Sequence, residues 1–280
     1  MNDNIQENSS VSNTDTRPIG IFDSGVGGLT VAKELRRILP YESTVYVGDT
    51  AHVPYGTKTP QELFAYGREI IEFLLKQNVK AVVIACGTSS ATVFEQLRET
   101  FPTLPIIDVL RPAVDTCFHA ITHDKKLPRL GLIATAATIR SGAFSRLLAE
   151  KSPNITLHSR ACPLFAAMVE AGLPQNHPAL LFAASTYLSD LRGKIDALVL
   201  GCTHYPLLTD AITAILGDIQ FINIAEATAL ATRKHLQDML ADEKNAPTHT
   251  YYVSGAGDVF AKTGKIIIGE ECNPQTMTHR

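Results

Sequence analysis

Residues 81–88 read AVVIACGT and residues 197–204 read ALVLGCTH. Each is an apolar run with no polar alternation, and each ends in a cysteine followed by small or hydrogen-bonding residues. A strand that is apolar on both faces has both faces covered, which is the condition of a parallel sheet flanked by helices. The two cysteines, Cys86 and Cys202, lie 116 residues apart. Earlier in each half, RPIGIFDS matches PRLGLIAT with Gly20 over Gly131, and TVYV matches ITLH, both at an offset of 111. Three strands recurring in one order at nearly constant spacing indicate a duplication and predict two similar lobes.

The remaining pattern fits this frame. Strands are predicted at PIGIF (18–22), TVYVG (44–48), AVVIA (81–85), PIIDV (105–109), RLGLI (129–133), ITLHS (155–159), ALVLG (197–201) and QFINI (220–224). Amphipathic helical patterns lie between them at 29–39, at 60–77 and after Pro178. The class is α/β: two similar three-layer αβα lobes with mainly parallel sheets, related by a pseudo-two-fold, with the active site in the cleft between them. The expected division is a first lobe of 17–108 plus 223–270, carrying Cys86, and a second of 109–222, carrying Cys202. Residues 1–16 read as a disordered tail and 271–280 as a second tail, while ADEKNAPTHT (241–250) reads as an exposed loop before a final strand and helix.

Composition excludes several classes of function. With 280 residues, 45% of them hydrophobic, the chain can bury a large core. A net charge of −3, with acids and bases interspersed, offers no basic stripe for nucleic acid and no polybasic segment for a membrane surface. No apolar run approaches the roughly 18 residues that span a bilayer. The start, MNDNIQENSSVSNTDT, lacks the basic and apolar regions of a secretory signal, so the expected location is cytoplasmic. Five widely spaced cysteines are odd in number and do not form a disulfide framework; thiols are expected.

Ligands of open parallel sheets bind beyond the carboxyl ends of the strands, where both Cys86 and Cys202 stand. Two lobes facing across a cleft would set these thiols on opposite sides of one small ligand. Taking a proton from one face of a carbon and returning one to the other needs such a pair, one a thiolate accepting and one a thiol donating. A helix N-terminus just after Cys86 would favour its thiolate, from an ordinary value near 8.5. This is the chemistry of a racemase or epimerase.

Six ordered motifs make the chemistry more specific: IGIFDSGVGGLTV, YVGDTAHVPYGTK, VIACGTSSA, ATAATIRSGAF, ACPLFAAMVEAG and VLGCTHYPLL. Together they resemble the glutamate racemases, from about Arg17 to the final YYVSGAGDVFAKTGKIIIG. The resemblance implies a cytoplasmic enzyme that interconverts L- and D-glutamate and supplies D-glutamate to peptidoglycan, with no cofactor and no metal. It implies that Cys86 and Cys202 are the catalytic acid/bases, assisted by Asp23 and His204. It also implies that Ser24, Tyr55, Gly56, Gly87, Thr88, Thr135, Thr138 and Thr203, with Asp23 and His204, face the substrate. Asp49 and Glu170 match acids that support the site from behind. A homodimer is expected, with glutamate as the small-molecule partner.

Two departures stand out. The family motif has asparagine where this chain has Gly87, and alanine where it has Ser89, so an amide contact to the substrate is missing and a hydroxyl is added. The late NIAEA (223–227) has Asn223 in place of an acid. A racemase for another amino acid, such as aspartate, keeps the two thiols and changes the substrate, which Gly87 permits. A non-catalytic amino-acid-binding protein would not need two opposed cysteines. Cys117, Cys162 and Cys272 read as core residues. GVGG (25–28) reads as a tight turn exposing Asp23 and Ser24, and lacks the spacing of a dinucleotide fingerprint. Cys202 and His204 have no further close ligand at structural zinc spacing.

Overall fold

The computed structural model describes residues 14–124 and 129–278. The strands in chain order are β1 (Ile19–Asp23), β2 (Thr44–Gly48), β3 (Ala81–Ile84), β4 (Ile106–Ile107), β5 (Leu130–Ala134), β6 (Leu157–Ala161), β7 (Ala197–Leu200), β8 (Gln220–Asn223), β9 (His249–Val253) and β10 (Gln275–Thr276). They form a six-stranded sheet, β10-β9-β2-β1-β3-β4, and a four-stranded sheet, β6-β5-β7-β8. Every pairing is parallel. Within the larger sheet the order β2-β1-β3-β4 repeats the order of the smaller one, which is the duplication expected from the sequence.

The register corrects one part of that expectation. Ile19 pairs with Thr44 and Ala81, and Leu130 with Leu157 and Ala197. Gly20 over Gly131 and Cys86 over Cys202 therefore hold, but Thr44 corresponds to Leu157 rather than Ile155. A slip of two residues preserves which side chains face each layer, so hydrophobic alternation cannot detect it. β6 is also only partly covered along its length, as an edge strand, and carries a weaker apolar signal than the fully buried β1, β2, β3, β5 and β7.

Two predicted strands end early because a side chain turns to start a helix. Asp108 accepts from the Arg111 N–H at 3.0 Å, and Asn223 from the Ala225 N–H at 3.0 Å. The helices run α1 (Leu29–Ile38), α2 (Pro60–Lys76), α3 (Gly87–Thr92), α4 (Phe94–Thr100), α5 (Leu110–Asp124), α6 (Ala136–Ser141), α7 (Ala143–Lys151), α8 (Pro163–Glu170), α9 (Pro178–Leu188), α10 (Thr209–Leu216), α11 (Ile224–His235) and α12 (Asp258–Ile268). α2 opens with Pro60 at its first position and a capping box between Thr59 and Glu62, which satisfies two of its free N–H groups.

The apolar core joins the lobes. Ile19 and Ile21 of β1, Leu130 and Leu132 of β5 and Val199 of β7 share one cluster with residues of α1, α5 and α11. A second cluster covers the outer side of the smaller sheet, and a third that of the larger. Among the described residues no helix is long and apolar enough to cross a membrane.

Both predicted tails need correction where they are described. Residues 1–13 lie outside the described residues, but the Asp15 carbonyl accepts from Lys80 Nζ at 2.6 Å, and its carboxylate pairs with Arg17. At the other end β10 lies beside β9, the Met277 N–H donates to the Val253 carbonyl at 2.8 Å, and Cys272 and Met277 are buried. The C-terminal segment is held because Met277 fills the outer cluster of the larger sheet. The exposed loop stops at 248, since His249 and Thr250 already pair with β2.

Candidate active site

The carboxyl ends of β1, β3 and β7 converge on a cavity of about 300 Å³. Cys86 follows β3 and is the residue that precedes α3; Cys202 follows β7 by one glycine. Both line the cavity and both are buried, at 4% and 7% exposed. Asp23, Ser24, Tyr55, Gly56, Gly87, Thr88, Thr135, Glu170, Thr203 and His204 line it with them. Two predicted residues do not. Thr138 stands behind Thr135, its N–H donating to the Thr135 hydroxyl at 3.3 Å with the two hydroxyls 3.0 Å apart. Asp49 lies under Tyr55, whose hydroxyl donates to it at 2.5 Å; Ser254 and His52 bind the same carboxylate. Asp49 thus fixes a wall of the cavity without facing it.

The turn after β1 brings Asp23 into place. Its Oδ1 accepts from the Gly25 N–H at 3.0 Å and its Oδ2 lies 3.5 Å from the Thr203 hydroxyl. The GVGG stretch is a turn, as expected, and it also presses against the other lobe: a Cβ at Gly27 would stand 2.4 Å from the His204 ring. Thr30, the second residue of α1, donates to the Gly27 and Thr203 carbonyls and so pins the two loops together. Neither contact could be read from sequence, because both partners are distant in the chain.

The two thiols have different surroundings. His204 lies 3.7 Å from Cys202 Sγ through Nδ1, and its Nε2 is 3.0 Å from Glu170 Oε1. Burial works against a charge on His204, but the hydrogen bonds to Cys202 and Glu170 and the charge of Asp23 outweigh it and hold the imidazole at about 10. The ring is held towards its charged form beside the Cys202 sulfur, so a thiolate there has a charged partner. Glu170, expected only to support from behind, is both a wall of the cavity and the other hydrogen-bond partner of that ring.

Cys86 has no such partner. Burial pushes its thiol up to about 12, the Asp23 carboxylate adds to the rise, and the Ser89 N–H and hydroxyl oppose it. α3 spans only six residues before Val93 interrupts it, so the helix-end effect expected from the sequence is overcome by burial. Burial likewise raises Asp23 above the usual carboxylate range, with His204 pulling the other way. In the resting site Cys86 is a proton donor, and Cys202 faces a cation.

The lobes meet across this cavity. The Thr88 and Thr135 hydroxyls are 2.9 Å apart, and Arg140 of α6 reaches the Gly56 carbonyl at 3.4 Å. Gly87 approaches the backbone of the other lobe closely, since a Cβ there would lie 2.6 Å from the Gly201 carbonyl oxygen. Among the described residues no three His, Cys, Asp or Glu side chains gather to hold a metal ion. The cavity can therefore place a small molecule between a thiol and a sulfur paired to an imidazolium, with hydroxyls and backbone N–H groups around it for carboxylates.

Comparison with known proteins places nearly the whole chain among relatives of one kind. A glutamate racemase of Geobacter metallireducens is 41% identical over 257 residues, 90% of this chain and 93% of its own length. The crystal structure of a glutamate racemase from Francisella tularensis in complex with D-glutamate superposes with a TM-score of 0.85 at 37% identity, covering 93% of this chain and 96% of its own. One from Bacillus anthracis gives 0.86 at 35% identity over 94% of this chain and 97% of its own. The family model described as Asp/Glu/Hydantoin racemase matches residues 28–232, which takes in both Cys86 and Cys202, and the chain belongs to that family.

Proposed function

We propose that the protein interconverts L- and D-glutamate by moving the α-proton between Cys86 and Cys202, and that it supplies D-glutamate for peptidoglycan. The observation that carries this reading is the pair of thiols, one from each sheet, that line one cavity, with the family membership to support it. One sulfur accepts the α-proton as a thiolate while the thiol on the other face donates its own, and the roles exchange in the reverse direction. The imidazolium of His204, held by Glu170, pairs with charge on Cys202. Asp23, buried and raised in pKa, lies near Cys86 and can exchange a proton with groups in the cavity. Ser24, Tyr55, Gly56, Gly87, Thr88, Thr135 and Thr203 are assigned to the two carboxylates and the ammonium. Hydrogen bonds aimed at the α-carboxylate stabilise the developing carbanion best where water is excluded.

The lobes of this reading are residues 17–108 with 223–270, to which the segment through β10 adds, and residues 109–222, and the working unit is a homodimer in the cytoplasm. The test is racemisation in D₂O, with a chelator and without pyridoxal phosphate, following optical rotation and loss of the α-hydrogen together. Inversion of glutamate with deuterium incorporation is expected, and Cys86→Ala and Cys202→Ala should each abolish it. Full turnover by either variant, or exchange with aspartate but not with glutamate, would overturn the assignment.

A further inference from the structure

Three consecutive hydroxyl residues follow Gly87 in α3, and the structure uses them differently. Thr88 meets Thr135 across the cleft at 2.9 Å. Ser90 is engaged in both senses, donating to the Ile84 carbonyl at 3.2 Å and accepting from the Val109 N–H at 3.4 Å. Ser89 is 0% exposed, and its hydroxyl has no hydrogen-bond partner among the described residues. A buried hydroxyl without a partner is unfavourable and calls for an explanation.

Its position supplies one. Cys86 is the residue before α3, and Ser89 is three residues on, the place whose N–H a capping side chain ordinarily binds. The sulfur makes no such bond, although both the N–H and the hydroxyl of Ser89 lie where they favour its thiolate. The titratable groups around the sulfur, Asp23, Cys202, Tyr46 and Tyr55, are all acids. The imidazolium of His204 is engaged by Cys202 and Glu170. A thiolate at Cys86 therefore needs a neutral donor, and the glutamate racemase motif that this chain resembles carries alanine where Ser89 stands.

We propose that Ser89 is a positioning residue for Cys86, its hydroxyl donating to the sulfur when the thiolate forms and standing without a partner when the thiol is restored. The assignment rests on the two-thiol reading and deepens it. It explains how a buried sulfur with acidic neighbours and no cation of its own can act as a base in one direction.

The test is the rate of alkylation of Cys86 by iodoacetamide across pH, located by peptide mass, in the intact chain and in Ser89→Ala and Ser90→Ala. A hydrogen bond to a charged group predicts that Ser89→Ala slows Cys86 alkylation at pH 8 by about tenfold or more. Its pH dependence should move upward while that of Cys202 stays. In turnover, kcat should fall with KM for glutamate unchanged. Ser90→Ala should lower thermal stability and leave the Cys86 profile in place. An unchanged Cys86 profile in Ser89→Ala, or an equal displacement in Ser90→Ala, would overturn the assignment. Alkylation needs no turnover, so a shifted profile in a chain that does not racemise glutamate would sink the substrate reading and leave Ser89 in its role.

Discussion

Replacing Gly87 by asparagine sets two physical arguments against each other. The family motif has that amide, and a hydrogen bond to a charged substrate group is worth about 1.5 to 3 kcal/mol, so restoring it would tighten binding by about tenfold or more. The structure argues the opposite. Any Cβ at residue 87 would lie 2.6 Å from the Gly201 carbonyl oxygen, at least 0.4 Å inside the 3.0 Å that such contacts require. That oxygen cannot swing aside cheaply, because the Gly201 N–H is bonded to the Ile133 carbonyl at 2.8 Å and Cys202 is the next residue. The gap opens by moving α3, and Cys86 with it, away from Cys202. A misplacement of about 1 Å costs a reaction about a hundredfold, so half of that should cost kcat about tenfold. Gly87→Ala isolates the steric part, since it adds the Cβ without the amide. Residue 87 is the first helical residue of α3, where alanine gains at most about 1 kcal/mol over glycine, and overpacking costs about 1 to 3 kcal/mol, so folding should lose no more than about 1 to 3 kcal/mol. Both variants are expected to lose kcat about tenfold while still folding, with the melting temperature lowered by several degrees, read by racemisation kinetics and circular dichroism. Unchanged kcat in Gly87→Ala, or unchanged kcat with lowered KM in Gly87→Asn, would refute the close-approach argument.

Two further outcomes concern stability. Lys80 and Glu42 form a fully buried pair at 2.7 Å, and Lys80 also donates to the Asp15 and Met239 carbonyls. Lys80→Met should destabilise by about 3 to 5 kcal/mol because it strands the Glu42 charge, with Lys80→Met/Glu42→Gln costing less; equal urea midpoints for the single variant and the unaltered chain would contradict this. His204, raised from 6.5 to about 10, binds its proton more tightly folded than unfolded. Its contribution is complete below pH 6.5 and is lost as pH rises towards 10, and Cys86, raised from 9.0 to about 12, extends the decline from pH 9 upwards. Unfolding free energy should fall by a few kcal/mol between pH 6.5 and 10. Glu170→Gln should flatten that limb, and an equally steep limb in the variant would show that Glu170 does not hold the proton.

The class, the duplication and both cysteines were legible because a parallel sheet leaves a plain record: short runs apolar on both faces, at repeated spacing. What failed was local. The second strand of the second lobe was placed two residues early, because a slip of two leaves the alternation intact. The C-terminal segment read as a tail because one buried methionine and a two-residue strand give no periodicity to read. Asp108 and Asn223 read as strand residues and act as helix caps.

The site divides in the same way. Residue type and position after a strand singled out Cys86 and Cys202, since those features belong to the local chain, and the resemblance to the glutamate racemases added Asp23 and His204. The sequence could not assign Thr138 to a place behind Thr135, or Glu170 to the wall of the cavity, because both depend on packing between distant elements. It also could not show that burial and Asp23 would raise Cys86 while Glu170 and Cys202 held a charge on His204. Proton affinity depends on desolvation and on neighbours brought close by folding, and a linear sequence contains neither. The same holds at Gly87: the sequence showed a missing amide, and only the tertiary structure showed the carbonyl oxygen that leaves no room for a side chain.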